Sequence, residues 1–144
     1  LVVTTPQYFL PEQANILHNK LPLHRMSRAD LTAAAAALRP RLVDLPRPWV
    51  AVLVGGDSGR FVLTEAKGKR LAALASQLAV ASGGSLLVSD SPRTPGLAGD
   101  ALQAGLGVPH FCYRWGDAAD NPYRGLLALA DAFVVTGESM SMLG

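Results

Sequence analysis

The chain has 144 residues, which is enough to bury one hydrophobic core. Its formal net charge is only +2 and its Lys and Arg residues form no basic patch, so no nucleic acid is expected as a partner. No apolar stretch reaches the ~20 residues of an integral membrane segment. The lone Cys112 cannot form an internal disulfide, which favours a cytoplasmic protein, with peripheral attachment to a membrane left open.

The first part of the chain is predicted to connect two domains. Residues 1–5 form a β-branched run that ends before Pro6, which predicts a strand. Residues 6–27 contain three prolines and show no periodicity, so they are interpreted as a connector after the end of a preceding domain. Because the chain begins without Met, we expect it to be a fragment of a longer protein.

A regular alternation of helices and strands follows. Ser27 is a suitable N-cap for a helix over 28–39. A second helix is predicted over 65–81, with Leu71, Leu74, Ala75 and Leu78 at the spacing of an apolar helix face. Shorter helices are predicted over 97–105 and from Asn121-Pro122, with Asn121 as N-cap. Apolar runs predict strands over 49–54, 85–89, 110–114 and 131–136. This order predicts an α/β domain with a parallel sheet and helices on both faces.

Two loops rich in glycine and hydroxyl groups follow the first and fourth core strands. In the strand order 3-2-1-4 these loops would be neighbours at the carboxyl ends of the strands, where open α/β sheets bind ligands. Glycines, hydroxyls and an arginine suit a diphosphate, and a glutamate suits the two hydroxyls of a ribose. The predicted ligand contacts are Gly55, Gly56, Asp57, Ser58, Arg60, Thr136, Glu138, Ser139 and Ser141.

Other interpretations of these loops stay open. The glycines and Ser58 could form only a tight turn. The string Gly-Asp-Ser-Gly at 56–59 resembles the surroundings of a catalytic serine, but a nucleophile elbow would need glycine in place of Arg60. Neither the dinucleotide fingerprint G-x-G-x-x-G nor the Walker A pattern is present, and no metal-ligand spacing occurs. No metal and no bound cofactor are therefore expected.

The loops after the second and third core strands supply secondary candidates. Arg93 and Thr94 follow the second strand and could reach a phosphate or a sugar. Asn121 and Tyr123 follow the third strand, where Trp115 could stack on a base. Cys112 is expected to pack in the core, because no activating group is apparent near it.

Several motifs, in order, resemble the mitochondrial fission protein family. The likeness covers nearly the whole chain. It rests on Leu23-His24-Arg25, residues 52–58 with Thr64, residues 83–88 with Ser91, Arg93 and Thr94, Asn121-Pro122-Tyr123 with residues 125–131, and residues 134–136 with 139–142.

That resemblance implies a two-domain glycosyltransferase of the B type, as many bacterial members of the family are described. The chain would then be mostly the donor-binding half, with a Rossmann-like three-layer α/β/α fold. Residues 28–144 would form a nucleotide-sugar-binding domain, incomplete at its C-terminus, and the partners would be a nucleotide diphosphate-sugar substrate and the amino-terminal domain of the same protein. The general base would lie on that other domain, so no catalytic residue is assigned here and the fragment alone is expected to be inactive.

Two rival functions remain. Some bacterial members of the family carry the name nucleoside-diphosphate-sugar epimerase, a reaction that would need a bound nicotinamide. Plant members act in organelle division through protein partners, which implies a non-catalytic interaction module.

Overall fold

Strands and helices alternate along most of the chain, of which the computed structural model describes residues 1–20 and 22–138. In this part the strands are β1 Val2–Thr4, β2 Ile16–His18, β3 Trp49–Leu53, β4 Ser85–Ser89, β5 His110–Tyr113 and β6 Ala132–Val135. The α-helices are α1 Arg28–Leu38, α2 Glu65–Ser82, α3 Gly96–Ala104 and α4 Tyr123–Leu129. Within the same residues, every helix is too short or too polar to cross a membrane.

The last four strands form one parallel sheet in the order β5-β4-β3-β6. Val50 pairs with Leu86 on one side of β3 and with Ala132 on the other. The predicted order 3-2-1-4 of the core strands is therefore confirmed. As a consequence, β3 and β6 end side by side at the same edge of the sheet.

The sheet is buried on both faces by helices, as a parallel sheet requires. Along β3, Val50 and Val52 pack with α2 and α3, whereas Ala51 and Leu53 pack with α1 and α4. These two cores make the domain a Rossmann-like three-layer α/β/α fold, as predicted.

The buried face of α2 consists mainly of small residues, which corrects part of the sequence-based prediction, although Ala75 is buried and Leu71 packs against the core. Gly68, Ala72, Ala75 and Ala79 are buried. Leu74 and Leu78, which were expected on the apolar face, are 53% and 44% exposed. Small residues are needed because α2 packs closely against α3, so that a Cβ on Gly68 would lie 2.3 Å from the carbonyl oxygen of Ala98.

Two local assignments also differ from the predictions. The region interpreted as a connector contains β2, which pairs in parallel with β1 in a separate two-stranded sheet. In addition, Pro122 rather than Asn121 occupies the N-cap position of α4. Asn121 still stabilises this end, because its Oδ1 accepts a hydrogen bond from the backbone N–H of Tyr123.

Replacing a small residue on α2 should therefore be more harmful than shortening a large one. We expect Ala72→Leu, at a fully buried position, to lower the free energy of unfolding by about 1–3 kcal/mol through overpacking. Leu74→Ala should change it by no more than about 1 kcal/mol, because half of that side chain is already in water. Urea unfolding of both variants measures this difference, and a larger loss in Leu74→Ala would contradict the assignment of the faces.

Candidate functional site

The turn after β3 and the turn after β6 are joined by hydrogen bonds. The backbone N–H of Gly55 donates to Thr136 Oγ1 over 2.8 Å, and the N–H of Gly56 donates to Glu138 Oε1 over 2.7 Å. The Thr136 hydroxyl also donates to Glu138 Oε1, at 2.9 Å. We call residues 55–59 and 136–138 the paired turns. The predicted proximity of these two loops is confirmed.

The loop after β4 is hydrogen-bonded to the first of these turns, residues 55–59, which we call the glycine turn. The N–H of Asp57 donates to the carbonyl oxygen of Arg93 over 3.0 Å, and Arg93 Nη1 donates to the carbonyl oxygen of Asp57 over 3.1 Å. The hydroxyls of Thr94 and Ser91 both donate to the carbonyl oxygen of Gly55. In this structure Arg93 and Thr94, the secondary candidates for ligand contact, thus hold the glycine turn in place.

Gly56 is the residue on which this close approach depends. Its φ is +122°, a conformation that side chains rarely permit. A Cβ at this position would also lie 2.2 Å from the carbonyl oxygen of Arg93. Glycine is therefore required here both by backbone conformation and by space.

Most N–H groups of the glycine turn already have acceptors in the protein. Those of Gly55, Gly56 and Asp57 bind as described, and that of Ser58 donates to the carbonyl oxygen of Phe61 over 2.9 Å. The Asp57 carboxylate accepts from the N–H of Leu63. The anion that accepts a hydrogen bond from the glycine turn is thus the protein's own Glu138 carboxylate.

At least three polar groups of the paired turns remain available to a ligand. The Ser58 hydroxyl, the N–H of Gly59 and the Oε2 atom of Glu138 have no hydrogen-bond partner among residues 1–20 and 22–138. All three residues line the same cleft. The site can therefore offer two donors and one carboxylate oxygen to a molecule that enters it.

The cleft has a volume of about 780 Å³ and separates the paired turns from residues 3–23. Its polar lining residues include Ser58, Arg60, Arg93 and Glu138. The amino-terminal segment forms another wall, whose lining residues include Tyr8 and Leu23. Phe61, next to Arg60 in the sequence, also lines the cleft. Sequence reasoning missed this wall because a segment without periodicity gives no sign of which residues it turns inward.

A second, smaller pocket of about 260 Å³ lies beyond the neighbouring strand ends. Asn121, Tyr123 and the half-exposed Trp115 line it. The structure therefore places Asn121 and Tyr123 in a pocket separate from the cleft. Ser91 borders this pocket and also hydrogen-bonds to the glycine turn, so the two spaces are adjacent.

A partly buried ion pair holds Trp115 in position. Arg114 Nε donates to Asp90 over 2.6 Å, and the other oxygen of Asp90 accepts from the N–H of Trp115. Burial lowers the pKa of Arg114, but hydrogen bonds to Asp100 and Asp90 outweigh it, so the pKa lies above its ordinary value. Arg114 thus stays charged. Sequence reasoning missed this pair, although a charged residue directly after the apolar strand β4 was a possible signal.

Neither candidate nucleophile is activated. Burial raises the pKa of the Cys112 thiol to about 11, so it is protonated at neutral pH. In the part of the chain that the structure describes, no histidine contacts the Ser58 hydroxyl through a hydrogen bond, as a hydrolase would require. The predicted contacts Ser139 and Ser141 lie outside the described residues.

The glycine turn, the loop after β4 and the turn after β6 contain the motifs that resembled a known family, and comparison with known proteins identifies that family. A sequence model described as Mitochondrial fission ELM1 matches residues 2–144. The chain belongs to the mitochondrial fission ELM1 family. It is also 32% identical over 134 residues to Mitochondrial fission protein ELM1 of Arabidopsis thaliana. That alignment covers 92% of this chain and 31% of the plant protein, so the chain spans about a third of its relative.

The match bears on the amino-terminal segment as well as on the α/β domain. Because the match to the ELM1 family model begins at residue 2, it includes β1, β2 and the amino-terminal residues that line the cleft. The cleft as a whole, with both its walls, therefore lies within the part of the chain that matches the family.

The glycine turn can be tested by adding a single methyl group. We expect Gly56→Ala to lower the free energy of unfolding by about 3 kcal/mol or more, because the strained φ and the overlap with the Arg93 carbonyl act together. Gly137→Ala is the matched control, since a Cβ there would meet nothing within 4 Å, and it should change stability by no more than about 0.5 kcal/mol. Equal effects in thermal or urea unfolding would show that the turn is not packed as described.

Proposed function

We propose that the chain binds a nucleoside diphosphate-sugar at the paired turns, as the donor-binding part of a glycosyltransferase. The observation that carries the proposal is the state of Glu138. One of its carboxylate oxygens is fixed by Gly56 and Thr136, and the other has no partner among the described residues and belongs to a side chain that lines the cleft. A carboxylate oriented in this way is a preorganised acceptor.

The ribose of the donor suits this carboxylate. A ribose presents two neighbouring hydroxyls, and Glu138 can accept hydrogen bonds from both. Hydrogen bonds to a charged group contribute about 1.5–3 kcal/mol, more than bonds between neutral groups. Because Oε1 is already held, little side-chain entropy would be lost when the ligand binds.

The diphosphate would then lie against the remaining donors of the glycine turn. The Ser58 hydroxyl and the N–H of Gly59 have no acceptor among residues 1–20 and 22–138, and Arg93, which also lines the cleft, adds positive charge. During transfer, the bond between the anomeric carbon and the diphosphate breaks, and these donors would stabilise the charge that develops on the leaving group. Ser139 and Ser141 remain candidates for the same role.

The adjacent pocket, which Trp115, Asn121 and Tyr123 line, suits the base of the nucleotide. Trp115 offers a flat, half-exposed aromatic face, and Asn121 retains its amide N–H₂ because its Oδ1 is used by the α4 N-terminus. Burial raises the pKa of the neighbouring Tyr123, so its hydroxyl stays protonated. Stacking on one side and hydrogen bonds at the edge are what a purine or pyrimidine requires.

Glu138→Gln tests the ribose contact while preserving the shape of the turn, since the amide oxygen can still accept from Gly56. We expect this substitution to weaken the binding of a ribonucleoside diphosphate roughly 10-fold or more, the loss of about 1.5 kcal/mol. The matching 2′-deoxynucleotide should bind wild-type protein more weakly but should be less affected by Glu138→Gln. Calorimetric titration with the diphosphates of uridine, guanosine, adenosine and cytidine measures this.

Glu65→Gln is the control, because it removes a carboxylate that only pairs with Lys69 on the exposed face of α2. Its affinities should equal those of the wild type. If no nucleoside diphosphate binds, the proposal is wrong and the interaction function gains support. If a nicotinamide dinucleotide binds more tightly than every diphosphate, the epimerase becomes the better assignment.

A further inference from the structure

The cleft lining combines two kinds of chemistry. The polar groups of the paired turns are accounted for by the proposed donor. The rest of the lining includes an apolar set, Val3, Tyr8, Leu23 and Phe61, which we call the apolar wall, beside the polar residues Thr4, Thr5 and Asn19. Tyr8, Leu23 and Phe61 are 65%, 73% and 56% exposed, although each lines a concave surface. Water contact with apolar area of this kind is unfavourable by about 25 cal/mol per Å², so an apolar occupant would be stabilised there.

Positive charge lies directly beside this apolar wall. The guanidinium of Arg60 lies 5.6 Å from the centre of the Phe61 ring, and both side chains line the cleft. Within the described residues Arg60 forms no ion pair. Arg93 and the Glu138 carboxylate also line the cleft, so its charged lining residues carry a net charge of one cation beside an apolar surface. Its complement is a molecule with an anionic head and an apolar chain.

We propose that the cleft binds the acceptor of the transfer, and that this acceptor is a lipid phosphate, a monophosphate ester of a long-chain alcohol. Its phosphate would lie at Arg60, and its chain would lie against Tyr8, Leu23 and Phe61. The inference rests on the proposed function for the role of acceptor. It also assigns Arg60 to this second phosphate rather than to the donor diphosphate.

The chemistry of such an acceptor fits the groups at the site. A phosphate oxygen of the acceptor forms a bond to the anomeric carbon of the sugar while the bond from that carbon to the nucleoside diphosphate breaks. The acceptor changes from a phosphate monoester dianion to a diester monoanion, and the leaving nucleotide gains that negative charge. An oxyanion nucleophile has no proton to lose, so this step needs no general base in the cleft.

Farnesyl phosphate, used below its micelle concentration, is a suitable probe for calorimetric titration of the protein. We expect it to bind the wild type at least 10-fold more tightly than either farnesol or inorganic phosphate. Tyr8→Ser and Phe61→Ser should each weaken its binding about 10-fold. These side chains are exposed, so the variants should fold, and their melting temperatures verify this.

Phe9→Ser is the matched control for the apolar wall. Phe9 adjoins Tyr8 and is 91% exposed but does not line the cleft, so its removal should leave the affinity unchanged within about 2-fold. Arg60→Gln should weaken farnesyl phosphate about 10-fold without affecting farnesol, whereas Arg70→Gln on α2 should affect neither. No binding by the wild type, or an equal loss in Phe9→Ser, would overturn the inference.

Two further measurements distinguish this inference from binding to a membrane surface and from the proposed donor site. If Tyr8→Ser and Phe61→Ser sediment less than the wild type with anionic phosphatidylglycerol vesicles but bind farnesyl phosphate with unchanged affinity, the inference is overturned in favour of a membrane surface. Arg60→Gln should leave nucleoside diphosphate affinity intact. Nucleotide binding without farnesyl phosphate binding defeats the lipid acceptor alone, and the converse result defeats only the donor site.

Discussion

The paired turns depend on one carboxylate, that of Glu138, which accepts hydrogen bonds from the N–H of Gly56 and from the hydroxyl of Thr136. These bonds connect residues 82 and 2 positions apart in sequence, and they fix the turn after β6 against the turn after β3. Because Oε1 accepts both of these bonds, Oε2 is held in place, and it has no hydrogen-bond partner among the described residues. The proposed ribose contact at the second oxygen of Glu138 follows from this arrangement.

The fold creates this contact through strand order and close packing. Parallel pairing of β6 with β3 brings their carboxyl ends together, and pairing of β4 on the other side of β3 brings the Arg93 carbonyl beneath Gly56. The helices allow the sheet to be buried on both faces, α2 by presenting alanine and glycine to α3. The site is thus built from backbone positions that the core determines, with few side chains needed to hold it.

The sequence predicted the parts of this structure that are set by short-range patterns. Continuous apolar runs such as 49–54 identified the buried strands, and glycine followed by hydroxyl residues at their ends identified the loops that meet. The buried face of α2 was mispredicted because leucine was assumed to face the core, whereas distance to α3 allows only small residues such as Ala72. The strand β2 and the apolar wall near Tyr8 were missed, since both depend on contacts between distant segments. It was equally impossible to predict that the Glu138 carboxylate would accept from the N–H of Gly56 and the Arg93 carbonyl from the N–H of Asp57.

The Thr136 hydroxyl and the Glu138 carboxylate accept hydrogen bonds from the amides of Gly55 and Gly56, and amide hydrogen exchange measures these bonds directly. In the wild type both amides should exchange slowly despite lying in a turn. In Thr136→Val, which retains the shape but removes the hydroxyl, the amide of Gly55 should lose its protection, while amides of the central strand such as Val52 keep theirs. Rapid exchange of Gly55 and Gly56 in the wild type, or unchanged protection of Gly55 in Thr136→Val, would contradict the account.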